Sequence, residues 1–313
     1  MFDWIANLWA WLRCAPGGTP QPPGVEPALA RPIERVLLSE GVAQTLFSDF
    51  SDHRQTERGD EEIGWILLGY WMDGQPIAVA ALPAGAARDA GAAHVQFDSE
   101  AQSLACRILR QCDKRLQVIG VVHTHPGSLR RPSDGDLRGD ILWVRHLRAG
   151  IGVFAIGTAD ARSGESAAHH QQLACPLLFS WYALGVGDRD YRTLPVTKTP
   201  GADLATSLRP VWTTLEAFAD PINRLCRQLA RVQFDVLAED LEATLVVRIP
   251  LAEPNQELRL LLNLDQARYY WDNAGELVAI DPDEPQLDRA VYLILAELCP
   301  SLSEAPSSTQ ESH

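Results

Sequence analysis

The chain has 313 residues, 46% hydrophobic and 22% charged, with 27 basic against 41 acidic side chains and a net charge of −14. That is room for about two domains of ordinary soluble composition. A surface of that sign repels phosphate backbones and anionic lipid, which argues against nucleic acid as the main partner. The six cysteines (Cys14, Cys106, Cys112, Cys175, Cys226, Cys299) are scattered and form no C-x-x-C pair. Neither a disulfide framework nor a cysteine metal site is indicated, so a reducing, cytoplasmic setting is expected.

At the N-terminus, Phe2, Ile5, Trp9 and Leu12 recur at helical spacing, and Trp4, Leu8 and Trp11 widen the apolar stripe. Residues 1–13 therefore read as a short helix that needs a surface to bury against. The stretch is too short for a hydrocarbon core of roughly 30 Å and lacks the marks of a signal peptide. With Arg13 as its one cation it is expected to dock on the protein or a partner rather than on a membrane. Pro16 to Pro27 holds five prolines and three glycines, so residues 14–30 read as a linker.

From residue 31 the pattern becomes globular. A helix is expected over Ile33 to Phe50, followed by His53 in a polar loop. Gly64 to Met72 and Gln75 to Leu82 read as strands joined at Asp73-Gly74. His94 opens a further strand, and Ser99 to Cys112 reads as a helix with Ala101, Leu104, Ala105 and Ile108 on one face. Leu116 to His123 is a buried-strand candidate. A helix over Ser133 to Arg148 and strands over Ile151 to Gly157 and Leu177 to Val186 follow. Ala159 to Gln172, with His169 and His170, reads as an exposed loop. Thr193 to Ala205 is a second break in composition. Beyond it a helix over Val211 to Asp235, four short strands (Ala243 to Ile249, Leu258 to Leu264, Ala267 to Trp271, Leu277 to Ile280) and a helix over Pro285 to Leu298 are expected. The fold class is thus α/β (α+β): a mixed sheet flanked by helices over residues 31–198, then a smaller α+β domain over 206–300. Residues 301–313 read as a disordered tail.

The chemistry concentrates between Val121 and Asp136. His123 and His125 stand two apart at the end of an apolar strand, so both rings leave on one face. Pro126 and Gly127 end the strand, and seven residues separate His125 from Ser133. That loop is long enough to bring the next helix start, and Asp136, back beside the two rings. Two nitrogens and one carboxylate oxygen leave a fourth tetrahedral position open, as in a catalytic zinc site. Ser133-Asp-Gly-Asp136 is equally a helix-capping signal, and that reading stands beside the metal one.

His-x-His-Pro, with Ser-x-x-Asp following seven residues after the second histidine, resembles the signature of the JAB/JAMM (MPN) metalloproteases. Glu62-Ile-Gly-Trp-Ile-Leu-Leu-Gly69 resembles the family's upstream glutamate element. It departs at Trp65, where many relatives carry a second glycine. Glu61 is the neighbouring rival for the glutamate, and the spacing to Gly64 and Gly69 favours Glu62. The resemblance covers roughly Arg31 to Lys198 and implies an MPN/JAB-like fold. It also implies one zinc per chain on His123, His125 and Asp136, with Glu62 as general base and Ser133 holding the oxyanion. Family members that retain all five residues usually act at the C-terminus of ubiquitin or a ubiquitin-like protein. A ubiquitin-like protein or its conjugates, with the activating and conjugating enzymes of its pathway, are the implied partners. Two alternatives remain open: a JAB peptidase that processes a sulfur carrier or other small peptide, and a non-catalytic scaffold like the MPN scaffolds or the RadC-like proteins. Arg130 and Arg131, beside the site, are expected to meet carboxylates on the substrate. The C-terminal element order is similar to the core of ubiquitin-conjugating and RWD-type folds, with no motif to support it.

Overall fold

The computed structural model describes residues 33–85, 90–91, 94–95, 99–159, 170–172, 177–239 and 242–298. The expected N-terminal helix, the linker and the tail lie outside these residues. Contacts divide the chain into two units, Met1–Trp212 and Thr213–His313.

The first unit opens with β1 (Val36–Ser39), where a helix over Ile33 to Phe50 was expected from the apolar pattern alone. Val36-Leu-Leu is drawn into a sheet because parallel partners flank it on both sides, β3 (Gln75–Pro83) and β11 (Val196–Thr199). The Ser39 hydroxyl then accepts from Val42 N at 3.2 Å and starts helix α1 (Glu40–Arg54). His53 is therefore in the last turn of a helix and not in a loop. The strand β2 (Gly64–Met72) turns at Asp73 and Gly74, both at positive φ, into β3. Two short strands, β4 (Ala90–Gly91) and β5 (His94–Val95), pair with each other, and helix α2 spans Ser99–Cys112. Next come β6 (Gln117–Thr124), helix α3 (Asp134–Trp143), β7 (Ile151–Thr158), β8 (His170–Gln172), β9 (Leu178–Gly185) and β10 (Arg192–Thr193). The helix expected to run to Arg148 ends at Trp143, and Val144–His146 form a single 3₁₀ turn. His170 lies in a strand paired with β9 rather than in an exposed loop, and residues 160–169 lie outside the described residues.

Among the described residues these strands make one nine-stranded mixed sheet, in the order β10-β9-β7-β6-β2-β3-β1-β11, with β8 also on β9. Strands β6 and β7 are parallel, so the chain must cross over between them, and α3 lies in that crossover. On the α1 face the core is built from Val42, Leu46, Phe47, Phe50, Trp65 and Phe179. Phe179 receives Phe47, Phe50 and Trp65 edge-on at 5.0, 5.9 and 6.2 Å. Each such side chain contributes about 2–3 kcal/mol by leaving water. Trp65, at the position where the family resemblance suggests glycine, fills this layer at 1% exposure and donates from Nε1 to Asp49 at 3.1 Å.

Gly69 sits where the β2 register shifts against β3, and a Cβ there would lie 1.8 Å from the Ile77 carbonyl oxygen. Glycine inside a strand marks such an irregular close approach. Gly69→Ala is therefore expected to cost about 3 kcal/mol or more, because backbone atoms rather than a flexible side chain must move. Chemical denaturation should show a lower midpoint at an unchanged slope.

In the second unit, helix α4 (Trp212–Gln228) precedes β12 (Gln233–Glu239), β13 (Glu242–Pro250), β14 (Gln256–Asn263), β15 (Gln266–Asn273) and β16 (Glu276–Ile280), and α5 (Leu287–Leu298) follows. The expected four-strand meander has five strands, because the expected helix over Val211 to Asp235 stops at Gln228. Arg231 at φ 67° breaks it, and Gln233-Phe-Asp-Val then alternates as a strand against β13. All neighbours in this sheet are antiparallel. Leu245, Val247, Ile249, Leu258, Leu260 and Leu262 bury one face completely or nearly so, while the other carries the ion pairs Arg248–Asp235 and Arg259–Glu257. That is the one-sided pattern of an antiparallel sheet.

Candidate metal centre

The site forms where β2 begins and β6 ends. Gly64 is opposite His123 in the antiparallel ladder. One residue further out, Ile63 N donates to Thr124 Oγ1 at 3.0 Å and Thr124 N to the Ile63 carbonyl at 2.9 Å. Side chains alternate along a strand, so Glu62 leaves on the same face as Gly64 and its partner His123. Glu62 is 5% exposed and its charge raises the His123 pKa. Glu61 instead pairs with Arg58 at 2.6 Å. Helix α1 sets this segment: His53 Nε2 lies 3.0 Å from the Glu61 carbonyl, and Arg54 donates to the Gly59 carbonyl at 3.0 Å.

His125 follows β6 and is tied to β7 by its N–H on the Gly157 carbonyl at 2.8 Å. Its ring is held by a second bond, Nδ1 to the Leu129 carbonyl at 2.7 Å. A carbonyl only accepts, so Nδ1 carries the proton and Nε2 presents a lone pair. The Nε2 atoms of His123 and His125 are 3.2 Å apart. Asp136 Oδ1 is 3.5 Å from His123 Nε2, and Oδ2 is 3.8 Å from His125 Nε2. Ligand atoms about 2.1 Å from a tetrahedral ion stand about 3.4 Å from one another. The three residues thus fit zinc in both donor type and spacing, and they form a cluster that could hold a metal ion.

The capping reading and the metal reading of this motif are compatible. Ser133 Oγ accepts from Asp136 N at 3.2 Å, and Asp136 Oδ2 accepts from Ser133 N at 2.6 Å, a complete capping box. The box turns the Asp136 carboxylate toward the two rings. Burial opposes ionisation of Asp136, but the adjacent His123 and His125 rings outweigh it and hold the carboxyl far below its usual range. Burial likewise disfavours the charged His123 ring, yet the adjacent Asp136 and the charge of Glu62 raise its pKa overall. In the loop between the ligands, Leu129 is 55% exposed, Arg130 is half-buried and Arg131 is exposed.

Three residues that matter here carried no expectation. Asp140, one turn beyond Asp136, is buried, and burial pushes its carboxyl up to about 7. Its position four residues on, on the same helical face, was the available signal. Tyr191 donates to Asp140 Oδ2 at 2.7 Å, and Tyr182 donates to the Arg130 carbonyl at 2.7 Å. Nothing in the local pattern marks either tyrosine.

Residues 43–168 match the family described as prokaryotic homologs of the JAB domain, a span that contains Glu62, His123, His125, Ser133 and Asp136. None of the curated proteins compared with the chain matches it. Among solved structures, the chain is similar to the solution structure of a protein from Desulfitobacterium hafniense. That likeness has 14% identity and a TM-score of 0.37, and covers 53% of this chain and 94% of that one. It is also similar to a JAB1/MPN domain protein from Archaeoglobus fulgidus, at 17% identity and a TM-score of 0.27, over 51% of this chain and 97% of that one. Likenesses at these scores carry no argument about activity; the family match does not depend on them. Over residues 43–168, then, the chain is similar to the prokaryotic homologs of the JAB domain.

Proposed function

We propose that this domain is a zinc-dependent metallo-isopeptidase that hydrolyses the amide bond at the C-terminus of a ubiquitin-like protein, in deconjugation or precursor processing. The observation that carries the reading is three ligand atoms at tetrahedral spacing beside a buried carboxylate, Glu62, outside the ligand set. A zinc held by His123, His125 and Asp136 would make hydroxide available near neutral pH and polarise the scissile carbonyl. Glu62 takes the proton of the attacking water and returns it to the leaving lysine amine. Ser133, whose oxygen already accepts from Asp136 N, keeps its hydroxyl proton to donate to the oxyanion. The ubiquitin-like substrate rests on the resemblance of the complete residue set to family members that act there.

The test is cleavage of a ubiquitin-like protein fused through its C-terminus to a reporter lysine. Cleavage lost to a chelator and restored by zinc supports the proposal. Cleavage of short peptides but not of the fusion would favour sulfur-carrier or peptide processing. A zinc-loaded protein that cleaves neither would favour a scaffold. In the same assay, Arg130→Glu with Arg131→Glu is expected to raise KM by roughly tenfold, about 1.4 kcal/mol, by reversing two charges at the rim of the site. Zinc content should not change, because the loop is held through its Leu129 and Arg130 carbonyls. An unchanged KM would remove both arginines from substrate recognition.

A further inference from the structure

The loop between His125 and Ser133 is held at two consecutive carbonyls. His125 Nδ1 holds Leu129, and the Tyr182 hydroxyl holds Arg130, each at 2.7 Å. Tyr182 is 6% exposed in β9, the strand beside β7. Next to it, Tyr191 donates to Asp140 and so ties down the helix that presents Asp136. The two phenol rings pack against each other at 6.0 Å, and Tyr191 also packs against Phe154 at 5.7 Å. Phe154 in turn meets Trp143 at the end of α3, at 5.6 Å. Phe154 on β7, Tyr182 on β9 and Tyr191 just before β10 thereby make one aromatic wall that reaches both the loop that orients His125 and the helix that carries Asp136.

We propose that Tyr182 and Tyr191 are positioning residues for the ligand set: Tyr182 fixes the loop carbonyl that holds His125 in its Nδ1–H form, and Tyr191 fixes α3 and with it Asp136. The proposal rests on the metal-site reading but not on catalysis. A metal-binding histidine needs its second nitrogen committed to an acceptor, and that acceptor must be rigid to be useful. Without the Tyr182 hydroxyl, the Leu129–Arg130 segment keeps its covalent ends but loses its anchor to the sheet. His125 then no longer has one acceptor waiting at a fixed place.

Tyr182→Phe and Tyr191→Phe each delete one hydroxyl and keep the ring packing. Tyr70→Phe is the control, since it deletes a comparable bond, Tyr70 to Asp113 at 2.9 Å, toward the other end of β2. The readouts are ¹⁵N histidine spectra of the metal-free proteins at mildly alkaline pH, zinc affinity against a competing chelator, and thermal midpoints. Wild type should show His125 as the Nδ1–H tautomer, and Tyr182→Phe a mixture of tautomers. Both clamp variants should raise the zinc dissociation constant by about 10- to 100-fold, the range for lost outer partners of metal ligands. Tyr70→Phe should lower the midpoint with neither effect. If Tyr182→Phe only lowers the midpoint, with tautomer and zinc affinity as in wild type, the clamp is overturned. If wild type takes no zinc, the metal reading fails, and the His125 tautomer in Tyr182→Phe still decides for or against the clamp.

Discussion

Glu62→Gln is expected to reduce kcat by about 10²–10⁴-fold, the usual contribution of a positioned proton-transfer group, while zinc stays bound. The amide keeps the size of the carboxylate and removes its basicity. Because Glu62 is buried on the His123 face and outside the candidate donor set, its loss leaves all three candidate metal donors in place. Glu61→Gln should change little beyond the ion pair with Arg58, which is partly exposed and contributes at most about 1 kcal/mol. The two single variants, compared by turnover and by zinc content, separate the neighbours. A dead Glu61 variant beside an active Glu62 variant would reverse the assignment.

His123→Ala, His125→Ala and Asp136→Ala should each raise the zinc dissociation constant by more than about a hundredfold, since outer partners alone are worth 10- to 100-fold. Each removes one of three protein donors, and water cannot replace the fixed geometry. Asp136→Ala has a further effect that the histidine variants lack. It deletes half of the capping box, so the metal-free protein should lose about 1 kcal/mol of stability as well. Zinc titration and denaturation of the three metal-free variants give both quantities. Zinc retained in all three would place the metal elsewhere.

Much of the first unit was legible because its signals are local. The apolar run of β2, the turn at Asp73-Gly74, the amphipathic face of α2 and the capping box of α3 each lie within a few residues, and each formed within a residue or two of its expected bounds. The same holds for the ligand motif: alternation along β6 and the length of one loop suffice to place His123, His125 and Asp136 together. Glu62 was legible only through resemblance, since the pairing of β2 with β6 that brings it to the histidines joins residues some sixty apart in sequence.

Where local pattern misled, a distant partner was responsible. Val36–Ser39 suits a helix or a strand equally, and became a strand because β3 and β11 lie on either side of it. Gln233 to Asp235 fall at the end of the expected helix, yet they join the strand Gln233–Glu239 because β13 offers a ladder of hydrogen bonds. Trp65 departs from a small-residue pattern because the space between α1 and Phe179 has to be filled, and that volume exists only once the layers are stacked. Tyr182 and Tyr191 belong to the same class. Their hydroxyls acquire a role only when β9 is laid beside β7 and β10 folds back on β9, which puts them within hydrogen-bond reach of a loop and a helix about fifty residues earlier. The candidate metal donors are written in neighbouring residues, whereas the contacts around them depend on which strands lie side by side.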